Sequence, residues 1–404
     1  MADKFGDPTI DANSDEVDDE LLRAAEDSLT AKGSIFSRLY RGETAFAFIP
    51  RMRRWFILSA VVIILGMGAV AIRGLNFGID FKGGTAWQVP SQTLSVKTAQ
   101  ADVAALGVTQ ATVVSLGGSS GRTIQVEADL SRLSVPARTA LEDRVSARLA
   151  KDGGVSAQAV GITDVGPTWG GEITSKAIRA LIFFFLGIVL YISLRFEWKM
   201  AAAAVLAVIH DLLVTVGIYA LVGFQVTPAT VIAVLTILGY SLYDTIVVFD
   251  RVQENVKALA NTGRMNYSDT VNLSVNQVLM RSLNTSIVAI IPILSILLIG
   301  AELLGATTLQ DFGLALFVGL TTGAYSSIFI ASPLLCIFKE REKRYQQLRL
   351  RISAKGAGAV LLTPRAAAMA GSVAMVSGSS SNGSSANTST KGTGGSKSRA
   401  KKRR

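Results

Sequence analysis

The chain has 404 residues, of which 50% are hydrophobic and 17% are charged, and its formal net charge is +10. A soluble domain carries about 25% charged residues, so this composition excludes an ordinary soluble domain and indicates a membrane protein. The single cysteine, Cys336, excludes an internal disulfide bond. Much of the positive charge flanks apolar segments or lies in the last four residues, which suits a membrane surface and anionic lipids better than nucleic acid.

Both ends of the chain have the composition of disordered segments. The first 30 residues are acidic and poor in aromatic residues, and from Ser377 the sequence is rich in Ser, Gly, Asn and Thr before it becomes basic. Such segments cannot bury enough apolar surface to offset the entropy of ordering. We therefore predict a largely disordered cytoplasmic leader over residues 1–54 and a largely disordered basic tail over residues 339–404.

Six apolar segments approach or reach the length that a transmembrane helix needs, roughly 20 residues. The first begins about 50 residues into the chain, too late for a cleaved secretory signal, and is predicted to be an uncleaved anchor. The domain boundaries that follow are 55–73 for span 1, 74–175 for a domain outside the membrane, and 176–338 for a five-helix membrane domain. Spans 1 to 6 are predicted at Phe56–Ile72, Ala177–Leu194, Met200–Val222, Pro228–Phe249, Val278–Ile299 and Phe312–Phe338.

Lys and Arg in the short flanks of the spans predict the orientation, because they favour the cytoplasmic side. The connections 223–227 and 300–310 contain neither residue, whereas the flanks at the other ends of the spans are basic. Both termini are therefore predicted to be cytoplasmic, and the domain between spans 1 and 2 to be extracytoplasmic. The basic flanking residues are Arg51, Arg53, Arg54, Arg195, Lys199, Arg251, Lys257, Arg264, Lys339, Arg341, Lys343 and Arg344.

The segment between spans 1 and 2 has the pattern of a small α+β domain. Alternation of apolar and polar residues, as in Thr123–Ala128, predicts strands, and apolar residues at helical spacing predict helices. The order strand, helix, strand, strand, helix, strand is that of the ferredoxin-like fold, which hosts many functions and identifies none. The predicted elements are Thr85–Val89, Val96–Leu106, Ala111–Leu116, Thr123–Ala128, Pro136–Ala150 and Ala157–Val165.

Asp244 is an ionisable residue inside predicted span 4. A carboxylate in hydrocarbon costs about 3 kcal/mol or more, so it calls for a partner or a task. Span 5 is antiparallel to span 4 and places Arg281 at a similar depth, with Asn284 on the same helical face. These three residues are predicted to form a proton pathway, because desolvation and a nearby guanidinium act in opposite directions on the proton affinity of a carboxylate. A purely structural Asp244–Arg281 ion pair remains the alternative.

Span 3 carries a second polar pair, His210 and Asp211, near its middle. We predict a secondary intramembrane polar site here, with hydrogen bonds to neighbouring carbonyl groups as the alternative. No further metal ligand lies near this lone histidine, so no metal site is predicted. Span 6 adds the polar residues Thr321, Thr322, Ser326 and Ser327, and its Gly319 and Gly323 are predicted to allow close helix packing.

Four motifs together make the chain resemble the SecF family of bacterial protein-export subunits, within the resistance-nodulation-division superfamily. They are Leu75–Thr85 after span 1, Asp164–Gly170 before span 2, Tyr243–Arg251 in span 4 and Arg281–Ser286 in span 5. The resemblance extends over roughly residues 56–338.

The resemblance implies a polytopic α-helical membrane protein with a 1+5 arrangement of spans and an extracytoplasmic ferredoxin-like domain. It implies that the chain is not an enzyme and has no cofactor. With SecD it is expected to use the proton-motive force, Na⁺ being the other coupling ion left open, to move preproteins through the SecYEG channel of the bacterial inner membrane. Asp244 and Arg281 match the family's proton-conducting charges, and Gly83 and Gly84 match the hinge of the external domain.

Implied partners are SecD, SecYEG, a YajC-like accessory subunit, unfolded secreted polypeptides and membrane lipids, with no nucleic acid. Two other functions stay open at this point. One is a half-size proton-coupled exporter of small molecules or lipids from the same superfamily, and the other is a structural scaffold in the membrane.

Overall fold

A computed structural model describes residues 34–41, 44–116, 122–130, 133–259, 265–303 and 307–354, together with residue 367. Residues 45–361 form one compact unit. The remaining residues form a second unit, in which the described part is mainly a short helix, Ile35–Tyr40, capped by the side chain of Ser34.

Within the described residues, six helices are long and apolar enough to cross a membrane, which confirms the predicted number of spans. Spans 1 to 4 are Met52–Arg73, Pro167–Arg195, Trp198–Val222 and Pro228–Leu259. Span 5 is Tyr267–Ser295, continued by a π-helical segment Ile296–Leu303. Span 6 is Thr307–Ser326 and Ser332–Glu340, joined by the π-helical turn Ser327–Ala331.

The α+β domain adjoins one end of this bundle, here called the domain end, where span 1 ends and span 2 begins. The other end, where span 1 begins and spans 2, 4 and 6 end, is called the basic end. Spans 4 and 5 extend further at the basic end than hydropathy predicted. There Arg251 Nε donates to Gln277 Oε1 at 2.6 Å, and Asn255 Nδ2 donates to Ser274 Oγ and Gln277 Oε1, each at 2.8 Å. Hydropathy detects burial in lipid and not hydrogen bonding between helices, so the predicted span 4 ended too early and the predicted span 5 began too late.

Glycines allow two pairs of spans to pack with little separation. A Cβ added to Gly66 in span 1 would lie 2.6 Å from Cα of Gly217 in span 3. A Cβ added to Gly319 would lie 2.2 Å from the side chain of Ile237 in span 4, and one on Gly323 would lie 3.0 Å from Cβ of Ser241. The packing role predicted for Gly319 and Gly323 is therefore confirmed.

The domain between spans 1 and 2 has the predicted order of strands and helices. Strands β2 (Gly84–Pro90), β3 (Thr112–Leu116), β4 (Thr123–Ala128) and β5 (Gly161–Val165) form one antiparallel sheet in the order β3-β4-β2-β5. Helices Val96–Ala105 and Val135–Gly153 accompany the sheet. The core between helices and sheet includes the buried side chains of Trp87, Val89, Ile124, Val126 and Leu149.

A short strand and a glycine pair join this domain to the membrane helices. Strand β1 (Asn76–Phe77) pairs in parallel with β6 (Gln225–Val226), which lies between spans 3 and 4. Gly83 and Gly84 follow with φ of 78° and 131°, which residues with a side chain rarely adopt. A Cβ on Gly84 would also lie 2.7 Å from the carbonyl oxygen of Ala128. The predicted hinge glycines thus occupy a position that requires glycine.

The described parts of the predicted leader and tail contain ordered structure. Before span 1, the backbone N–H groups of Phe46 and Phe48 donate to Asn276 and Asn272 of span 5 at 2.8 and 2.9 Å. After span 6, residues Lys343–Ala354 form a helix in which Tyr345 packs against Tyr267. Composition indicated disorder because it does not register these individual contacts; residues 1–33 and 368–404 lie outside the described residues.

Candidate functional site

Asp244 lies in the interior of the helix bundle, with 3% of its surface exposed. Ser282 of span 5 donates a hydrogen bond to Oδ1 at 2.7 Å, and Ser327 of span 6 donates one to Oδ2. Both donors are neutral hydroxyl groups. Three helices therefore meet at this carboxyl group, and no cation of the described residues bonds to it directly.

Asp211 lies deeper still, with no exposed surface. Its Oδ2 accepts hydrogen bonds from Ser241 of span 4 at 2.5 Å and from Ser326 of span 6 at 2.7 Å. Its Oδ1 lies 3.0 Å from Nδ1 of the neighbouring His210. The partners of this pair are therefore side chains of spans 4 and 6 and the two residues themselves.

Two adjacent serines join the two buried carboxylates. Ser326 bonds to Asp211 and Ser327 bonds to Asp244, and the π-helical turn of span 6 begins at Ser327. Ser241 and Asp244 add a second link, because they lie three residues apart on span 4 and so share a face. The two polar sites predicted separately are thus one network. π-helical turns inside α-helices are frequent at functional sites.

His210 extends the network toward span 1. Its ring stacks on Tyr325 at a centroid distance of 6.2 Å and an interplanar angle of 29°. The Tyr325 hydroxyl lies 3.1 Å from Ser59 Oγ and donates to the carbonyl oxygen of Trp55 at 3.2 Å. Nε2 of His210 is buried and has no hydrogen-bond partner among the described residues. One imidazole nitrogen is thus committed to Asp211 and the other is unused.

Arg281 does not form the predicted ion pair with Asp244. Among the described residues no ion pair within 4.0 Å joins them, and Arg281 and Asn284 both lie on the exposed side of span 5. The predicted depth is correct, since the adjacent Ser282 reaches Asp244. Successive helical residues differ by about 100° in direction, so a helix that turns Ser282 inward turns Arg281 outward. The charge of Arg281 acts on Asp244 only through space.

Sequence reasoning missed three members of the site: Ser241, Ser282 and Tyr325. The i,i+3 spacing of Ser241 from Asp244 was the one signal that could have identified a contributor. Within the described residues no three His, Cys, Asp or Glu side chains come together as metal ligands.

A separate charged cluster stabilises the basic end of the bundle. Lys339, at the end of span 6, bonds to Glu197 between spans 2 and 3, and Lys199 bonds to Glu342 at 3.0 Å. Burial alone would raise the pKa of Glu342, but the hydrogen bond from Lys199 and the charges of Lys339 and Lys199 lower it below its usual value. This cluster ties the start of span 3 to the end of span 6, the two helices that carry Asp211 and its serine donor.

Comparison with known proteins accounts for this combination of spans, domain and charges. Residues 68–86 match the family model "SecD/SecF GG Motif", and residues 145–341 match "Protein export membrane protein SecD/SecF, C-terminal". The protein translocase subunit SecF of Streptomyces coelicolor is 42% identical over 327 residues, which cover 80% of this chain and 85% of that protein. The chain belongs to the SecF family. A SecF subunit of Mycobacterium tuberculosis is 43% identical over 76% of this chain and 70% of its own length.

SecF-family chains also occur fused to SecD. The Protein translocase subunit SecDF of Thermus thermophilus is 33% identical over 78% of this chain. The crystal structure of the Thermus SecDF, described as a translocon-associated membrane protein, has a TM-score of 0.63 and 31% identity and covers 81% of this chain. This chain spans 48% of that structure. The fusion implies association with SecD.

Proposed function

We propose that this SecF-family chain, together with SecD, uses the proton-motive force to drive preproteins through the SecYEG channel of the bacterial inner membrane. The observation that carries the proposal is the buried Asp244 carboxyl in span 4, bonded only by hydroxyl groups. Hydroxyl groups can serve either protonation state of a carboxyl, because they both donate and accept hydrogen bonds. A carboxyl that exchanges protons within a membrane helix is a means of coupling an ion gradient to helix movement.

The proposed topology has both termini in the cytoplasm and the α+β domain outside. The absence of Lys and Arg from connections 223–227 and 300–310 supports it. We assign the domain to the ferredoxin-like fold, because its sheet order β3-β4-β2-β5 is the one that the split βαβ arrangement produces. The constrained glycines Gly83 and Gly84 at its base are the proposed hinge about which the domain moves while it holds an unfolded polypeptide.

Arg281 and Asn284 are proposed to complete the proton pathway at the contact with SecD. A guanidinium exposed on a membrane helix costs about 3 kcal/mol or more in lipid, so it is expected to face a partner. Val288, two turns along the same face of span 5, is 68% exposed, which leaves room for a helix of the partner beside Arg281. A carboxylate on a SecD helix is the proposed partner of Arg281. This role replaces the direct Asp244–Arg281 pair.

Export in a strain that depends on this gene tests the proposal. We expect Asp244→Asn to lower export of a secreted reporter to the level measured without the subunit, because an amide cannot take up or release the proton. Asp250→Asn is the matched control, on the same helix, where Asp250 pairs with Arg195 at 2.8 Å near the surface. A partly exposed pair contributes 1 kcal/mol at most, so export should change by about fivefold or less.

Normal export with Asp244→Asn, at unchanged protein level, would contradict the proposal. Co-purification with SecD and the channel subunits separates a translocase subunit from a half-size exporter, which is expected to purify as a homodimer. A membrane scaffold would tolerate Asp244→Asn without loss of export.

A further inference from the structure

Each of the two bridging serines has a second acceptor besides its carboxylate. The hydroxyl of Ser326 lies 2.7 Å from Asp211 and 3.2 Å from the carbonyl oxygen three residues earlier in span 6. The hydroxyl of Ser327 bonds to Asp244 and also lies 3.2 Å from the carbonyl oxygen three residues earlier. Each serine can therefore donate to an ionised carboxylate. Alternatively, it can donate to its own helix and accept from a protonated carboxyl.

The two carboxyls lie at different depths in the membrane. Asp211 is eleven residues, about 16 Å of helix, from the domain end of span 3 at Val222. Asp244 is sixteen residues, about 24 Å of helix, from the domain end of span 4 at Pro228. Asp211 therefore lies nearer the domain end, in agreement with its bond to Ser241, which precedes Asp244 on span 4 by three residues, about 4.5 Å of helix.

Few charged or titratable groups face the two carboxyls. On the described residues these are His210 next to Asp211, Tyr325 stacked on His210, and the more distant Arg281 of span 5. Span 1 contributes a hydroxyl, Ser59, to the same region. Two carboxylates in a site of low dielectric repel each other when both are ionised.

We propose that Asp211, with His210, is a second proton-binding site in series with Asp244, and that Ser326 and Ser327, adjacent residues of span 6, each hold one of the two carboxyls. This proposal rests on the proposed function. The ligand is the transported proton itself. The imidazole nitrogen at 3.0 Å from Asp211 favours a proton over Na⁺, because a cation at that carboxylate would replace the contact with the ring.

The transfer step conserves charge and protons. A water molecule between the two carboxyls takes the proton of Asp244 as that O–H bond breaks and gives one of its own protons to Asp211, so that one carboxyl ionises as the other is neutralised. Ser327 then turns its hydroxyl proton toward Asp244, and Ser326 turns its own toward the backbone carbonyl and accepts from Asp211. Release from Asp211 toward the domain end restores the first arrangement, and His210 stabilises the ionised form of Asp211 by holding a proton on Nδ1.

Proton flux into proteoliposomes tests the proposal, with this chain and its SecD partner reconstituted together around a trapped pH-sensitive dye. We expect Asp211→Asn and Ser326→Ala to slow the flux roughly tenfold or more, the factor that loss of one hydrogen bond to a charged group gives. Ser295→Ala is the matched control, because Ser295 lies in span 5 and bonds only to its own helix, at 3.1 Å to the carbonyl oxygen of Ile291. His210→Gln should shift the pH at which flux is half-maximal, which loss of packing alone would not do.

Assembly with SecD, measured by co-purification, separates misfolding from loss of transfer. Ser326→Ala leaves Asp211 its bonds to Ser241 and His210, so the complex should assemble even where Asp211→Asn fails to. If assembled Ser326→Ala and Asp211→Asn conduct normally while Asp244→Asn does not, the second site is overturned and the proposed function stands. If Asp244→Asn also conducts normally, the proposed function itself fails. Flux that follows Na⁺ at constant pH would overturn the assignment of the proton.

Discussion

Spans 3 and 5 each carry charged side chains inside an apolar helix, and they treat those side chains in opposite ways. Half of the most apolar stretch of span 3 is buried inside the bundle. Asp211 in this span is enclosed by three hydrogen-bond partners. Only 17% of the most apolar stretch of span 5 is buried, and Arg281 is exposed on this helix. The acidic side chain is therefore enclosed within this chain, whereas the basic one lies on an exposed face, where we propose that SecD binds.

Replacement of Arg281 is expected to have the largest effect on association with SecD and on export. Arg281→Leu leaves the proposed carboxylate of SecD buried without a cation, which costs about 3–5 kcal/mol, or 10²–10³ in the association constant. We expect co-purification with SecD and export to be lost while the chain itself accumulates normally. Leu283→Ala, which trims an apolar side chain that is 38% exposed on the same helix, serves as the comparison. Retained association in Arg281→Leu would show that this face is not the interface.

Substitution of Gly319 tests the close packing of span 6 against span 4. Gly319→Leu forces a side chain into Ile237, where even a Cβ would lie at 2.2 Å, and overpacking of this kind costs about 1–3 kcal/mol or more. Gly187→Leu in span 2 is the matched control, because nothing lies within 4 Å of a Cβ there. We expect the melting temperature in detergent to be lower for Gly319→Leu and unchanged for Gly187→Leu. Equal melting temperatures would show that spans 4 and 6 do not depend on this contact.

A smaller effect is expected from Ser282, the hydroxyl that turns inward where Arg281 turns outward. Ser282→Ala removes one of two donors to Asp244, and a hydrogen bond to a charged group contributes about 1.5–3 kcal/mol. Export should fall and its dependence on pH should shift toward higher pH, because the ionised carboxyl is stabilised less. Ser295→Ala on the same helix provides the control. An unchanged pH profile would indicate that Ser282 is a packing residue.

The smallest effect is expected from Glu342 at the basic end of the bundle, away from Asp211 and Arg281. The pKa of Glu342 is lowered in the folded protein, so its contribution to stability is present above the unfolded pKa and is lost as pH falls through the folded one. Glu342→Gln should therefore lower the melting temperature slightly at pH 7, by the equivalent of about 1 kcal/mol or less, and have no effect well below pH 4. An equal effect at both pH values would exclude the charge as its cause.

The six spans and the order of the domain's elements could be predicted because hydropathy and alternation are local properties of the sequence. Asp244 and Asp211 could be identified because a charge inside an apolar helix is costly. The partners of these carboxyls could not be predicted, because serine occurs widely in membrane helices and gives no comparable signal. Whether Arg281 or Ser282 faces Asp244 depends on the rotation of span 5, which its packing against spans 4 and 6 decides.

Infrared spectroscopy of the reconstituted complex with SecD measures whether Asp244 changes its protonation state. We expect a carboxylic-acid band whose intensity changes with pH across the range in which export proceeds. This band should be absent from Asp244→Asn. Asp250→Asn should keep the band. A spectrum in which Asp244 stays ionised throughout that range, with export intact, would contradict the account.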